Sequence, residues 1–378
     1  MTLKYGNTIN EIESDYQERS WYKPAAEFAV MAVILILVLA GVTYRASTKS
    51  VVISESSGLV AGESLFDEDV ITDWTIMPVS ETKGSKSIIV PIPITARPEN
   101  VYVENYYQDH TLFIRIKGLH SAAFEGSVIS GNTKHLITAA FREYSGEIRI
   151  SLVMDGVWDY SISQENTQLV ITPFKPDEKY ERSIVLVTEK AETVESELGT
   201  FTKESLAAKI AEYAADMSIG GEKEESAGDE DEQDNSGEEA LSSTRIFVAE
   251  YRSDEEVLAF IDEVNADFVV FLKTGKSDDP GMYGMSAVYN GSYFIPELDN
   301  AYLTEVFLRN MAIAAKDRAV SIEKADKKSI LEKLTIPATE ITVGYVTNES
   351  EKKCLENESY RRKVARGIIN AVKEVTER

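Results

Sequence analysis

The sequence predicts an α/β C-terminal domain, a mostly parallel sheet with helices on both faces, preceded by an all-β sandwich and one N-terminal transmembrane helix. Three observations predict this. An uncharged apolar run lies near the start. Short alternating runs separated by turn residues fill 88–174. After residue 182, strand-like and helix-like segments alternate.

The run from Phe28 to Tyr44, FAVMAVILILVLAGVTY, carries no charge. Extended back over Glu27 to Pro24, it predicts a helix over 24–45, long enough for a hydrocarbon core of roughly 30 Å. The residues before it mix Glu11, Glu13, Asp15 and Glu18 with Lys4, Arg19 and Lys23, unlike the short cationic start of a cleaved signal peptide, so the span is expected to be retained. Trp21, Tyr22 and Tyr44 fit the aromatic belts at the two interfaces. Arg19 and Lys23 balance Arg45 and Lys49, so charge does not set the orientation. The expected arrangement is a cytoplasmic tail over 1–23 with everything after the span extracytoplasmic. Residues 46–86, rich in Ser, Thr, Glu and Asp, read as a stalk in which VITDWTIMPV holds enough apolar residues to pack.

Residues 87–176 predict the sandwich. The runs SIIVPIPI, HTLFIRIKGL, HLITAAF, EIRISLVM, WDYSIS and TQLVITPF read as strands, with period two plain in Leu112, Ile114, Ile116 and in Ile148, Ile150, Leu152. Turn signals sit at Gly131-Asn132, Ser145-Gly146, Asp155-Gly156 and Glu165-Asn166. Short strands at this spacing suit two packed antiparallel sheets.

From about 180 to 378 the texture changes. IVLV, RIFVAEY, ADFVVFLKTG, GMSAVYNGSYF and ITVGYV read as strands. KESLAAKIAEYAADM, DEEVLAFIDEVN, NAYLTEVFLRNMAIAAKDR and SYRRKVARGIINAVKEVTER read as helices, the first with Leu206, Ile210 and Tyr213 on one face. Such alternation gives a largely parallel sheet. The segment 218–243, acidic and rich in Gly and Ser, reads as a disordered insertion because it has little apolar surface to bury.

Composition narrows the chemistry. With 64 acidic residues against 39 basic ones the formal charge is −25, which argues against nucleic acid, whose phosphates need clustered Lys and Arg. A single cysteine, Cys354, allows no intramolecular disulfide and no Cys-based zinc finger, and with no histidine near it reads as an incidental thiol. The three histidines, His110, His120 and His135, all precede the α/β domain and read as surface or hydrogen-bonded side chains. Arg361, Arg362, Lys363 and Arg366 on the last helix read as a solvated face, with contact to an acidic partner as the alternative.

The C-terminal half resembles the zinc-dependent N-acetylmuramoyl-L-alanine amidases of the type-3 class. The resemblance rests on Pro337 to Val372, which keeps Pro337, Gly344, Tyr345, Asn348, Leu355 and the closing helix, and on NADFVVFLKTG, IVLVTEKA and KESLAAKIA. The sandwich resembles in pattern the AMIN module that precedes such domains, through Asp155 to Ile162 and Leu169 to Phe174. These resemblances imply binding to peptidoglycan or to cell-wall and division proteins, and zinc held by two imidazoles and a carboxylate beside a general-base glutamate. Laid on the family, those four positions fall on Lys190, Lys203, Lys273 and Thr342. A protonated lysine offers no lone pair, so zinc is not expected, and the expectation is a non-catalytic, surface-anchored protein at the cell membrane. An active amidase with a relocated site using Glu204 and Glu340, and a purely structural assembly module, are the alternatives.

Overall fold

In a computed structural model the described residues are 74–93, 100–144, 146–165, 167–190, 192–196, 199–203, 205–218, 243–291 and 298–377. The expected tail, the span over 24–45, most of the stalk and the interior of the acidic insertion lie outside them. Among the described residues no helix is long and apolar enough to cross a membrane.

The first ten strands are β1 (Thr75–Ile76), β2 (Val79–Glu81), β3 (Ile88–Pro91), β4 (Val101–Tyr106), β5 (Thr111–Lys117), β6 (Ile129–Gly131), β7 (Leu136–Tyr144), β8 (Glu147–Met154), β9 (Asp159–Glu165) and β10 (Gln168–Phe174). They form two five-stranded sheets, ordered β1-β7-β8-β5-β4 and β2-β6-β3-β10-β9. Alternation explains the packing. Leu112, Ile114, Ile116, Ile148, Ile150 and Leu152 from the first sheet meet Ile88, Val90, Ile129, Leu169 and Ile171 from the second in one buried core. The stalk was expected to run to residue 86. Instead β1 and β2 pair into the two sheets and Met77 between them enters the core, because its apolar side chain gains more from burial than a spacer allows.

The short helix α1 (Pro176–Lys179) leads into β11 (Arg182–Thr188). A hairpin, β12 (Glu192–Ser196) and β13 (Gly199–Lys203), belongs to a separate compact unit and stands on its own here. Then follow α2 (Leu206–Ser218), β14 (Thr244–Glu250), α3 (Asp254–Glu263), β15 (Phe268–Gly275), β16 (Met285–Tyr289), α4 (Asn300–Ala315), β17 (Ala319–Lys324), β18 (Ala338–Tyr345), α5 (Glu349–Glu356) and α6 (Glu358–Thr376). The sheet order is β14-β11-β15-β18-β16-β17. Four of its five pairings are parallel, and the direction reverses between β18 and β16. The expected parallel sheet therefore holds in its larger part and is mixed at one side.

Both faces are covered, as expected, but unequally. Ile184, Leu186, Ile246, Val270 and Ile341 pack against α2, α4 and α6. Val185, Val187, Phe247, Val269 and Phe271 pack against Val257, Phe260 and Ile261 of α3 and against Ile330 and Leu331 of a 3-10 turn. Val157, from the turn between β8 and β9, completes this second core, so the sandwich docks on that face. The joint is also polar. The Gln108 amide donates to the Glu250 carbonyl at 2.9 Å and accepts the Glu250 N–H at 3.0 Å, and the two terminal Arg252 nitrogens donate to Asp109. Buried Asp159 accepts from the Tyr107 hydroxyl at 2.9 Å and the Tyr180 hydroxyl at 2.8 Å. It also lies 3.3 Å from Arg245 Nε, within ion-pair distance but not aligned for a hydrogen bond.

Local signals set the helix starts. The Ser253 hydroxyl accepts the Glu256 N–H at 3.2 Å and donates to its carboxylate at 3.1 Å, a reciprocal cap on α3. Asn348 and Asn357 cap α5 and α6 in the same sense.

Candidate functional site

In an open α/β sheet the crevice at the carboxyl ends of parallel strands is where ligands collect. Here β11, β15 and β18 end together, and alternation decides which side chains reach that end. Val185 and Val187, Val269 and Phe271, and Ala338 face the α3 side. By period two, Glu189, Lys273, Glu340, Thr342 and Ser286 of the antiparallel β16 share that side. The register sets Lys273 opposite Thr342, and Thr342 opposite Ser286.

The groups are already engaged with one another. The Lys273 ammonium forms an ion pair with Glu340. Their side chains are 44% and 23% exposed, so the pair contributes at most about 1 kcal/mol to stability, and its importance is the charge it places here. Glu189 accepts the Thr274 N–H at 3.1 Å and its hydroxyl at 2.7 Å. Tyr345 reaches Ser286, hydroxyl to hydroxyl at 3.2 Å. Gly275 makes that reach possible, because a Cβ there would lie 2.7 Å from both Thr342 Cγ2 and the Tyr345 ring. Glu351, buried beneath, accepts N–H groups from Tyr345 at 2.8 Å and Gly284 at 2.7 Å, and burial holds its pKa above the ordinary carboxylate value.

Of the four residues that sequence placed at the site, Lys273 and Thr342 are brought together. Lys190 follows β11 and is exposed. Lys203 was expected at the start of a helix, but it ends β13, opposite Glu192, and the helix begins at Leu206. Glu204 lies outside the described residues. Ser286, Glu189 and Glu351 were missed. For Ser286 and Glu189 the signal was their place in the alternation of β16 and β11.

The other candidates disperse. His110 meets Glu263 of α3 at 2.8 Å across the joint, while His120 meets Glu143 at 2.8 Å and His135 meets Asp155 at 2.7 Å within the sandwich, three separate pairs. Cys354 is exposed. The expected basic face of α6 is broken up. Arg361 is buried and donates to the Leu355 carbonyl at 2.9 Å, since its place on the helix turns it inward. Arg362 pairs with Glu358 and stacks 4.5 Å from the Tyr213 ring.

A zinc ion needs several lone-pair donors converging on one point. The described residues at this sheet end do not fit that need: they offer an ammonium, a carboxylate bound to it, a second carboxylate tied to Thr274, and hydroxyls. Among the described residues no group of three His, Cys, Asp or Glu could hold a metal ion.

Residues 238–374 match the model of the N-acetylmuramoyl-L-alanine amidase family. The α/β domain resembles that family. Lys273 and Thr342 lie within the matched stretch of this amidase-like domain, and Lys190 and Lys203 precede it. Among solved structures, the catalytic domain of the amidase CwlV from Bacillus (Paenibacillus) polymyxa is 14% identical over 50% of this chain and 96% of its own, with a TM-score of 0.36. An amidase from Clostridium difficile 630 is 17% identical over 51% and 96%, with a TM-score of 0.38. The CwlD amidase from Clostridioides difficile, solved in complex with the GerS lipoprotein, is 14% identical over 52% and 99%, with a TM-score of 0.36. Likeness at this level does not bear on what this chain binds or cleaves. No curated protein matches the chain.

Proposed function

We propose that the chain is a membrane-anchored, extracytoplasmic pseudo-amidase that binds peptidoglycan or a cell-wall or division protein without hydrolysing it. The observation that carries this reading is Lys273, paired with Glu340 and opposite Thr342 at the carboxyl end of the sheet. An ammonium there repels a divalent cation and occupies the one carboxylate nearest to it. No histidine follows His135 to replace it. In this reading residues 1–23 are cytoplasmic, 24–45 span the membrane, an AMIN-like sandwich stands between span and amidase-like domain, and that domain carries the acidic insertion 218–243.

The test is purified full-length chain in detergent, incubated with isolated sacculi with and without added zinc. The expected outcome is co-sedimentation with sacculi and no soluble muropeptides under either condition. Zinc-dependent release of muropeptides would overturn the non-catalytic reading. Failure to sediment would remove wall polymer as the ligand and leave the protein partner, tested by crosslinking in living cells.

A further inference from the structure

Far from the carboxyl end of the sheet, two of the large apolar side chains left exposed face a single groove. Ile313 on α4 is 68% exposed and Ile322 on β17 is 41% exposed. Both line a groove of about 450 Å³, together with the nearly buried Leu308 and Ala312. β17 is the edge strand of its sheet, so among the described residues no further strand covers this side. One exposed isoleucine is ordinary, whereas two converging on one concavity mark a surface that gains from being covered.

The charges around the groove select the occupant. Its lining holds Glu305, Arg309, Lys316 and Asp317, two acidic and two basic, so the patch is neutral in a chain of net charge −25. Two copies meeting here avoid the repulsion that an acidic surface imposes elsewhere. The charges are also ordered along α4. Toward its start, Arg309 is flanked by Glu374 of α6 at 2.5 Å and by Glu305 at 3.7 Å, an excess of one negative charge. Just past its end, Lys316 and Arg318 flank Asp317, which accepts the Tyr360 hydroxyl, an excess of one positive charge. Glu305 and Lys316 stand about 16 Å apart along the helix. We propose that this surface pairs with the same surface of a second copy, α4 packing antiparallel on α4 about a two-fold axis midway between Glu305 and Lys316. That axis sets each acidic end beside the other copy's basic end and brings each Ile313 level with the other copy's Leu308, inside its groove. Three turns of helix make a small contact, so the pairing belongs to the transient class of interfaces. It depends neither on the membrane span nor on binding to wall polymer.

The test uses the full-length chain purified in detergent, with its one cysteine removed by Cys354→Ser. Glu305→Cys and Lys316→Cys are introduced separately into two differently tagged preparations, which are mixed and treated with a short bismaleimide. Both positions are exposed, and circular dichroism checks that the fold is kept. The expected result is that the mixed link, position 305 to position 316, forms at least about tenfold faster than either preparation links to itself, because only the mixed pair is held at high effective concentration. Adding Ile313→Asp to both preparations, which puts a carboxylate into each apolar groove, should bring the mixed link down to the self-link rate. Equal rates for mixed and self links would overturn the antiparallel pairing and leave the groove to a different protein. A mixed link that survives Ile313→Asp unchanged would overturn it as well, since the contact would then not run through the groove.

Discussion

Gly367 on α6 offers the sharpest test of the packing, because two ordinary effects predict opposite signs. Replacing an interior helical glycine with alanine stabilises a helix by about 1 kcal/mol. At Gly367, however, an added Cβ would lie 2.5 Å from Met311 Cα, 2.8 Å from the Asn310 carbonyl oxygen and 2.9 Å from Met311 N, all backbone atoms of α4. Met311 and Ile368 are fully buried at this crossing, so the helices cannot part without opening the core. Overpacking costs about 1–3 kcal/mol where side chains can yield, and a backbone obstacle puts this site at or above the top of that range. Gly367→Ala is therefore expected to lose about 2 kcal/mol net, or roughly 4–8 °C in Tm for a domain of this size. Urea unfolding followed by circular dichroism reads the difference. A variant as stable as wild type, or more so, would refute the close α4–α6 crossing.

Asp159→Ala removes the acceptor of the Tyr107 and Tyr180 hydroxyls and the counter-ion of a buried guanidinium, Arg245. It should cost about 3–5 kcal/mol in chemical denaturation, and a loss under about 1 kcal/mol would contradict this role. Glu351→Gln can replace only one of two carboxylate acceptors for the Tyr345 and Gly284 N–H groups, so a loss of about 1–3 kcal/mol is expected by the same assay. The Tyr180 hydroxyl is pushed up to about 12 by burial, and by nearby Asp159. Below about pH 10 it is protonated in both folded and unfolded chains, and from there to its raised value the unfolded chain ionises first. Stability should thus fall from pH 10 toward 12, and Tyr180→Phe should shallow that slope; an unchanged slope would exclude Tyr180 as a source.

The legible parts of the sequence were those where one face is buried. Strands β5 and β8 alternate so cleanly that both their extent and their inward face could be read directly. Two of the missed strands, β17 and β6, lack that pattern. The edge strand β17, AVSIEK, is exposed or half-buried along its length, so nothing imposes an apolar face. The three-residue β6 is too short to show a period. The reversal at β16 is invisible because side-chain period does not record strand direction. At the site, Lys273 and Thr342 could be placed because both lie within regular strands, where position fixes facing. Lys203 could not, because a segment that reads as a helix start ends a hairpin strand instead.

The unequal cover of the α/β sheet links these features. Helices α2, α4 and α6 close one face completely, with Gly367 drawing two of them together. The other face has α3, a 3-10 turn and the sandwich, through Val157 in the core and Tyr107 edge-on to Phe247 at 4.9 Å between ring centres. Lys273, Glu340 and Thr342 point toward that same side. The contacts that hold the sandwich there include apolar burial, the buried Asp159 cluster, amide pairing of Gln108 with the edge strand β14, and the ion pairs Arg252–Asp109 and His110–Glu263. Loss of any one leaves the others in place, which favours a fixed rather than a hinged joint. A ligand meeting the Lys273 end of the sheet would therefore meet it at a constant orientation to the sandwich, a property that suits recognition and does not require turnover.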